Sequence, residues 1–293
     1  MATARDPFDK SPLVSVKWLA ERIGDPHLRI VDGSYDSVLD VRETYRANHI
    51  PGAALFDIRE IRDRENPVPF MLPPAAQFAE AVGALGIANR HRVIVYDAAG
   101  IWNAGRVWWM FRTFGHRDVA VLDGGLPAWL AAGGAVESGD AAAAPEIFKA
   151  HFDPRQLRTL DQMKAIVESG GEQVVDVREA DRFTGETAEK RHGLRAGHMP
   201  GSRNIPYADL TGPHHRLKSP AALMKLLAAA KVDLAHPVVT SCGGGVAAGI
   251  LSLALERMGK QDWALYDGSW SEWASQPDTP VVTGPADGPH QEG

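Results

Sequence analysis

The feature that most constrains this chain is that it repeats itself once. "GHRDVAVLDGGLPAWLAAG" from Gly115 and "GKQDWALYDGSWSEWASQP" from Gly259 align at an offset of 144, with Gly, Asp, Ala, Asp-Gly and Trp recurring in place. Upstream, "ANHIPGA" from Ala47 matches "AGHMPGS" from Ala196, and "RIVDGSYD" from Arg29 resembles "QVVDVREA" from Gln173, in the same order. That period lies far above the ~20–50 residues of a solenoid repeat, so a whole domain is duplicated. A chain of 293 residues suits two domains of roughly 140 each. The seam falls in "VESGDAAAAPEIFKAHFDP", residues 136–154, where Ala, Gly and Pro dilute the apolar pattern. The expected domains are residues 1–145 and 155–293.

Each half alternates short apolar strands with amphipathic helices. "LRIVDG", "RVIVYDA" and "VAVLDGG" read as strands in the first half, and "QVVDVR", "PVVTSC" and "WALYDGS" in the second. Strands apolar on both faces imply an α/β fold whose sheet is mainly parallel and flanked by helices. Helices are expected at "LVSVKWLAERIG", "PAAQFAEAVGALGI", "LDQMKAIVESGG", "AALMKLLAAAKV" and "AAGILSLALERMG". Trp108, Trp109, Trp129 and Trp273 read as packing residues, because tryptophan recurs with the repeat.

In such folds ligands sit at the carboxyl ends of strands, and there lies the chain's only cysteine, Cys242, in "VVTSCGGGVAAG". Glycines let successive amides turn inward and the following helix N-terminus adds positive potential, so the loop Gly243, Gly244, Gly245, Val246, Ala247 forms a cradle for an anion. A thiolate is favoured there, which makes Cys242 a nucleophile rather than a buried filler. In the first half "RVIVYD" puts Asp97 at the equivalent place, followed by the longer, bulkier "AAGIWNAGR". One working site is expected, with no cradle after Asp97. Cysteine phosphatases place Arg six residues after Cys; here that residue is Ala248, which disfavours phosphoryl transfer. Dithiol reductase chemistry fails for want of a second cysteine.

Composition excludes several other classes. A net charge of −6, with no Lys/Arg-rich run, supplies no field for nucleic acid or anionic lipid. One cysteine makes no internal disulfide, no apolar run reaches the ~18 residues of a membrane span, and "MATARDPFDKSPLVSVKWLAERI" lacks a secretory core. A cytoplasmic protein without nucleic-acid or membrane partners is expected. The eleven histidines show no H-x-x-x-H spacing and no C-x-x-C exists, so no metal is expected.

Taken with "HIPGAALFD", "GHMPGS", "RVWWMFRTFGH", "RFTGETAEKRHG" and "YDGSWSEW", the SCGGGVAAG loop resembles the tandem rhodanese-domain sulfurtransferases, the thiosulfate and 3-mercaptopyruvate sulfurtransferases, over nearly the whole chain. The resemblance implies two rhodanese-like domains, the first inactive and the second carrying a persulfide on Cys242. It implies that Arg182 and Arg191 hold substrate, and the forked guanidinium suits a carboxylate or sulfonate. Asp57 and Arg106 align with family positions at the domain interface, as site support or as structural ion-pairing residues. Mercaptopyruvate members read Cys-Gly-Ser-Gly-Val-Thr and thiosulfate members Cys-Arg-Lys-Gly-Val-Thr, whereas this loop reads Cys-Gly-Gly-Gly-Val-Ala; a histidine of many mercaptopyruvate members is replaced by Phe70.

The implied cycle needs no cofactor: sulfur passes from a small donor, 3-mercaptopyruvate ahead of thiosulfate, to Cys242 and then to a thiol, a dithiol protein or cyanide. The thiosulfate:cyanide reaction is the alternative. Two rival classes are a persulfide carrier with poor turnover of its own and a regulatory tandem domain with a vestigial cysteine.

Overall fold

Six apolar runs set the architecture. The computed structural model describes residues 11–36, 39–141, 143–189, 191–286 and 291–292. The first ten residues, on which the reading of the N-terminus partly rests, lie outside the described residues. One unit comprises residues up to Arg64 with Leu72–Asp153 and Gly212–Leu217; the other comprises Glu65–Met71, Pro154–Thr211 and Lys218 onward.

In the first unit β1 (Leu13–Val14), β2 (Leu28–Asp32), β3 (Ala53–Leu55), β4 (Arg92–Tyr96) and β5 (Val119–Leu122) form one sheet in the order β1-β5-β4-β2-β3, parallel throughout. Its helices are α1 (Val16–Ala20), α2 (Val41–Ala47), α3 (Ala75–Ala84), α4 (Ala104–Thr113) and α5 (Gly125–Ala131). In the second unit β6 (Leu157–Arg158), β7 (Gln173–Asp176), β8 (Arg203–Asn204), β9 (Val238–Ser241) and β10 (Trp263–Tyr266) form a parallel sheet in the order β6-β10-β9-β7-β8, the same permutation. Its helices are α6 (Leu160–Ser169), α7 (Ala180–Thr184), α8 (Pro220–Ala229), α9 (Ala248–Arg257) and α10 (Ser269–Trp273). A two-residue antiparallel pair, β11 (Val282–Thr283) and β12 (Gln291–Glu292), follows.

The middle strand of each sheet is well shielded. Val93, Ile94, Val95 and Tyr96 of β4 and every residue of β9 are buried, as β-branched residues covered on both faces should be. The helix after each is buried nearly all round: α4 keeps only Arg112 partly accessible, and α9 buries Ala248 through Leu255. Thr240 on β9 and Ser252 on α9 share a buried hydroxyl–hydroxyl bond of 2.8 Å. Trp108, Trp109, Trp129 and Trp273 are buried, as packing residues.

Local chemistry sets the helix ends. Thr159 and Gln162 form a capping box at α6, Gly170 closes that helix at φ +67, and Ser219 caps α8 ahead of Pro220. One expected helix begins differently: in "LVSVKWLAERIG" Leu13–Val14 pair with β5 as a strand, and extended Ser15 starts α1 by accepting the Trp18 N–H. Two apolar residues before a Ser cap satisfy a strand edge as well as a helical face.

Candidate active site

Cys242 follows β9 directly and is 3% exposed; residues 242–247 lead from it into α9. No side chain caps the N-terminus of α9, whose positive end therefore lies on this loop. The loop is pinned by the segment around α10. The Trp270 N–H donates to the Cys242 carbonyl at 3.0 Å, and the Ser271 N–H donates to the Gly243 carbonyl at 2.9 Å. Ser269 is fully buried at φ +49, and its hydroxyl accepts the Cys242 N–H at 3.2 Å. That hydroxyl lies 2.8 Å from the Tyr266 carbonyl and 3.9 Å from the Cys242 Sγ, so its one proton can serve either acceptor.

The three glycines have separate causes. Gly245 sits at φ +78, a conformation an L side chain adopts only with strain. Gly243 and Gly244 make room for arginines: a Cβ on Gly243 would lie 3.3 Å from Arg182 Nη2, and one on Gly244 would lie 3.6 Å from Arg191 Nη2. The structure therefore brings Cys242, its loop, Arg182 and Arg191 together in the second unit.

The two arginines differ in their partners. Arg182 donates from Nη1 to Glu179 at 3.1 Å and from Nη2 to Glu189. Burial works against its charge, yet the bond to Glu189, that carboxylate's charge and Glu179 outweigh it and hold the guanidinium above its ordinary range. Glu189 also accepts from buried Arg178 at 2.5 Å, and Arg178 in turn bonds Asp176 at 2.8 Å and lies 4.4 Å from the Trp270 ring centroid. Arg191 Nη1 donates to Ser271 Oγ at 3.0 Å, and its guanidinium carbon is 5.7 Å from the Phe70 ring centroid.

Asp57 and Arg106 belong to the first unit. Asp57 accepts from the Arg59 N–H at 2.9 Å and Nε at 3.3 Å and pairs with Arg42 at 3.4 Å. Arg106 is 1% exposed and lies 4.5 Å from the Trp109 ring centroid. At the end of β4 the chain does keep a backbone cradle, contrary to the loop's bulky composition. Asp97 is fully buried, and its carboxylate accepts the N–H groups of Ala99, Asn103 and Ala104 at 2.8 Å each. Burial pushes the Asp97 carboxyl up and the three amides pull it back only in part.

Sequence reasoning passed over Ser269, Ser271, Arg178 and Glu189. A signal for Ser269 exists: the repeat aligns it with Gly125 of "LDGG", and a serine standing in for a turn glycine is kept for its hydroxyl.

Among the described residues no group of three or more His, Cys, Asp or Glu side chains could hold a metal, and no helix is long and apolar enough to cross a membrane. The model of the rhodanese-like domain family matches residues 15–132 and 159–276. The chain is 42% identical, over 92% of its length and 78% of the relative's, to the Arabidopsis thaliana protein named thiosulfate/3-mercaptopyruvate sulfurtransferase 1, mitochondrial. It is 43% identical to the Homo sapiens 3-mercaptopyruvate sulfurtransferase, over 89% of this chain and 91% of that one. The crystal structure of SseA from Escherichia coli, a 3-mercaptopyruvate sulfotransferase, superposes with a TM-score of 0.83 at 35% identity, over 89% of this chain and 99% of SseA.

Proposed function

Given that the chain belongs to the rhodanese-like domain family and is a sulfurtransferase of the thiosulfate/3-mercaptopyruvate kind, we propose that Cys242 carries sulfur as a persulfide and that 3-mercaptopyruvate is its preferred donor. The observation that carries this reading is a lone thiol at the end of β9 with two guanidinium groups beside the next two residues. The Cys242 thiolate attacks the donor's sulfur, the sulfur–carbon bond breaks, and the thiol proton passes to the leaving carbon, which departs as pyruvate. The persulfide anion stays on Cys242 until a thiol, a dithiol protein or cyanide takes the outer sulfur and restores the thiolate. Backbone amides and the α9 terminus stabilise the anionic sulfur in both states. In this reading residues 1–145 form the inactive domain and 155–293 the catalytic one. Asp57 and Arg106 support the first domain rather than the chemistry.

The donor preference rests on charge. Arg178 and Arg182 bond Asp176, Glu179 and Glu189, while Arg191 donates to the Ser271 hydroxyl beside the loop, where a donor's carboxylate can meet its guanidinium. One guanidinium suits a single carboxylate better than a dianion. Thiosulfate is the second reading, and one observation favours it: residues 243–247 offer no acid–base side chain, and sulfite leaves without a proton. The cytoplasm is the proposed compartment, since a reducing medium keeps a single thiol available. Steady-state turnover of the two donors, with cyanide as acceptor, tests the assignment. A higher kcat/KM for 3-mercaptopyruvate is expected, and a higher value for thiosulfate overturns the donor.

A further inference from the structure

We propose that Ser271 is a positioning residue that fixes the Arg191 guanidinium beside the Cys242 loop and so sets the site's selectivity for an anionic donor. The proposal rests on the sulfurtransferase reading for its substrate, though not for its decisive measurement. Ser271 is 7% exposed and joins two partners through one oxygen: Oγ donates to the Gly243 carbonyl at 2.5 Å and accepts from Arg191 Nη1 at 3.0 Å. The same carbonyl takes the Ser271 N–H at 2.9 Å. A hydroxyl has one proton and two lone pairs. With the proton given to the loop, the lone pairs face a cation, and each bond polarises the other.

The Ser271 hydroxyl is the side-chain link by which Arg191 is tied to the nucleophile's loop. A Cβ on Gly244 would stand 3.6 Å from both Ser271 Oγ and Arg191 Nη2, so the guanidinium passes along bare backbone there. The Phe70 ring, 5.7 Å from the guanidinium carbon, supplies attraction without a directional bond. Arg182 cannot take over, because Glu179 and Glu189 already occupy both of its terminal nitrogens. Removing the Ser271 hydroxyl therefore leaves the loop's backbone bond in place and takes away the hydrogen bond that ties the guanidinium to the loop.

Because Cys242 is the chain's only cysteine, alkylation of the full chain reads the local field without any sulfur donor. The measurement is the ratio of second-order rate constants for iodoacetate, an anion, and iodoacetamide, its neutral counterpart. In Ser271→Ala this ratio should fall about threefold to tenfold, the net worth of one ordinary hydrogen bond. Arg191→Ala should lower it at least as far, the double variant no further than Arg191→Ala alone, and Ser271→Thr should restore it. An unchanged ratio in Ser271→Ala, equal losses for both reagents, or losses that multiply in the double variant would each overturn the proposal. With 3-mercaptopyruvate, Ser271→Ala should raise KM and leave kcat near its original value. A wild-type chain that transfers no sulfur yet shows the alkylation pattern would sink the function and leave Ser271's role standing.

Discussion

Ser269 holds the left-handed backbone of Gly125, its counterpart in the first unit, at φ +49 against +55. A serine is strained there by roughly 1–2 kcal/mol where glycine is not. At the first-unit position a side chain would collide with the carbonyls of Gly100 and Asp97. In the second unit the same geometry delivers a hydroxyl to the Cys242 N–H and to within 3.9 Å of its sulfur.

Replacing Ser269 with Gly and with Ala separates strain from chemistry. Both should lower kcat by about tenfold, the worth of one hydrogen bond to the reacting sulfur. The Gly variant should be the more stable of the two by about 1 kcal/mol, since only it relieves the backbone. Full activity in Ser269→Ala would remove the hydroxyl from the mechanism; urea melts of the pair test the strain.

Cys242→Ser should abolish sulfur transfer and keep the fold, because the exchange is nearly isosteric while oxygen does not form the persulfide. Mass spectrometry after donor treatment should show one added sulfur on the wild type and none on the variant. An added sulfur on the variant would place the carrier elsewhere.

Asp97→Cys should not yield a second active site. The three amides around residue 97 are spaced for carboxylate oxygens, and a thiol is too short to meet them. Buried donors left without partners cost about 1–3 kcal/mol each, so a loss of at least about 3 kcal/mol is expected. Alkylation stoichiometry near pH 6, with a urea melt, checks both halves. Equal rapid labelling of two cysteines contradicts the expectation.

Arg191→Ala and Arg182→Ala should part company. The first should raise KM for 3-mercaptopyruvate about tenfold or more, as loss of a charge-assisted contact implies, with little effect on stability. The second strips a partner from Glu189, whose side chain is 3% exposed, and should lower stability by about 3 kcal/mol. Equal effects of the two on KM and on unfolding would show that the carboxylates do not distinguish them.

Burial pushes the His116 imidazole below its ordinary range. Its folded-state value therefore lies below the ~6.5 of the unfolded chain. Above that pH the neutral ring contributes fully; on acidification below it the unfolded chain binds a proton that the folded one refuses, and stability falls by up to about 1.4 kcal/mol per pH unit. Asp32 and Asp97, whose carboxyls burial pushes up, act in the opposite sense. A urea midpoint compared at pH 7 and 5.5 should therefore drop less in His116→Phe than in the wild type. Identical drops would remove His116 from the acid response.

The apolar runs that become β2, β4, β5, β7, β9 and β10 were legible because strands covered on both faces carry consecutive apolar residues. β1, β3, β6 and β8 were not, since two or three residues at a sheet edge carry no period. Duplication placed Cys242 opposite Asp97, and the adjacent glycines marked the loop. The grouping of Glu65–Met71 with the second unit and of Gly212–Leu217 with the first is set by packing rather than chain order, so no linear boundary conveys it. The partners of Arg182 were equally hidden: Glu189 stands seven residues on in a loop, and only folding shows that it also holds Arg178.

The filled cradle at Asp97 bears on how the two halves of this chain can drift. A substitution in residues 98–104 meets a single filter, whether the loop still closes on an internal carboxylate, and any change that preserves the fold passes it. In the proposed cycle a substitution in residues 243–247 meets two, because the same backbone would have to hold its shape and leave space for an incoming sulfur. Libraries sorted for folded protein alone should therefore come to look alike at the two loops in tolerance, whereas sorting for turnover should thin the second loop and leave the first as varied as before.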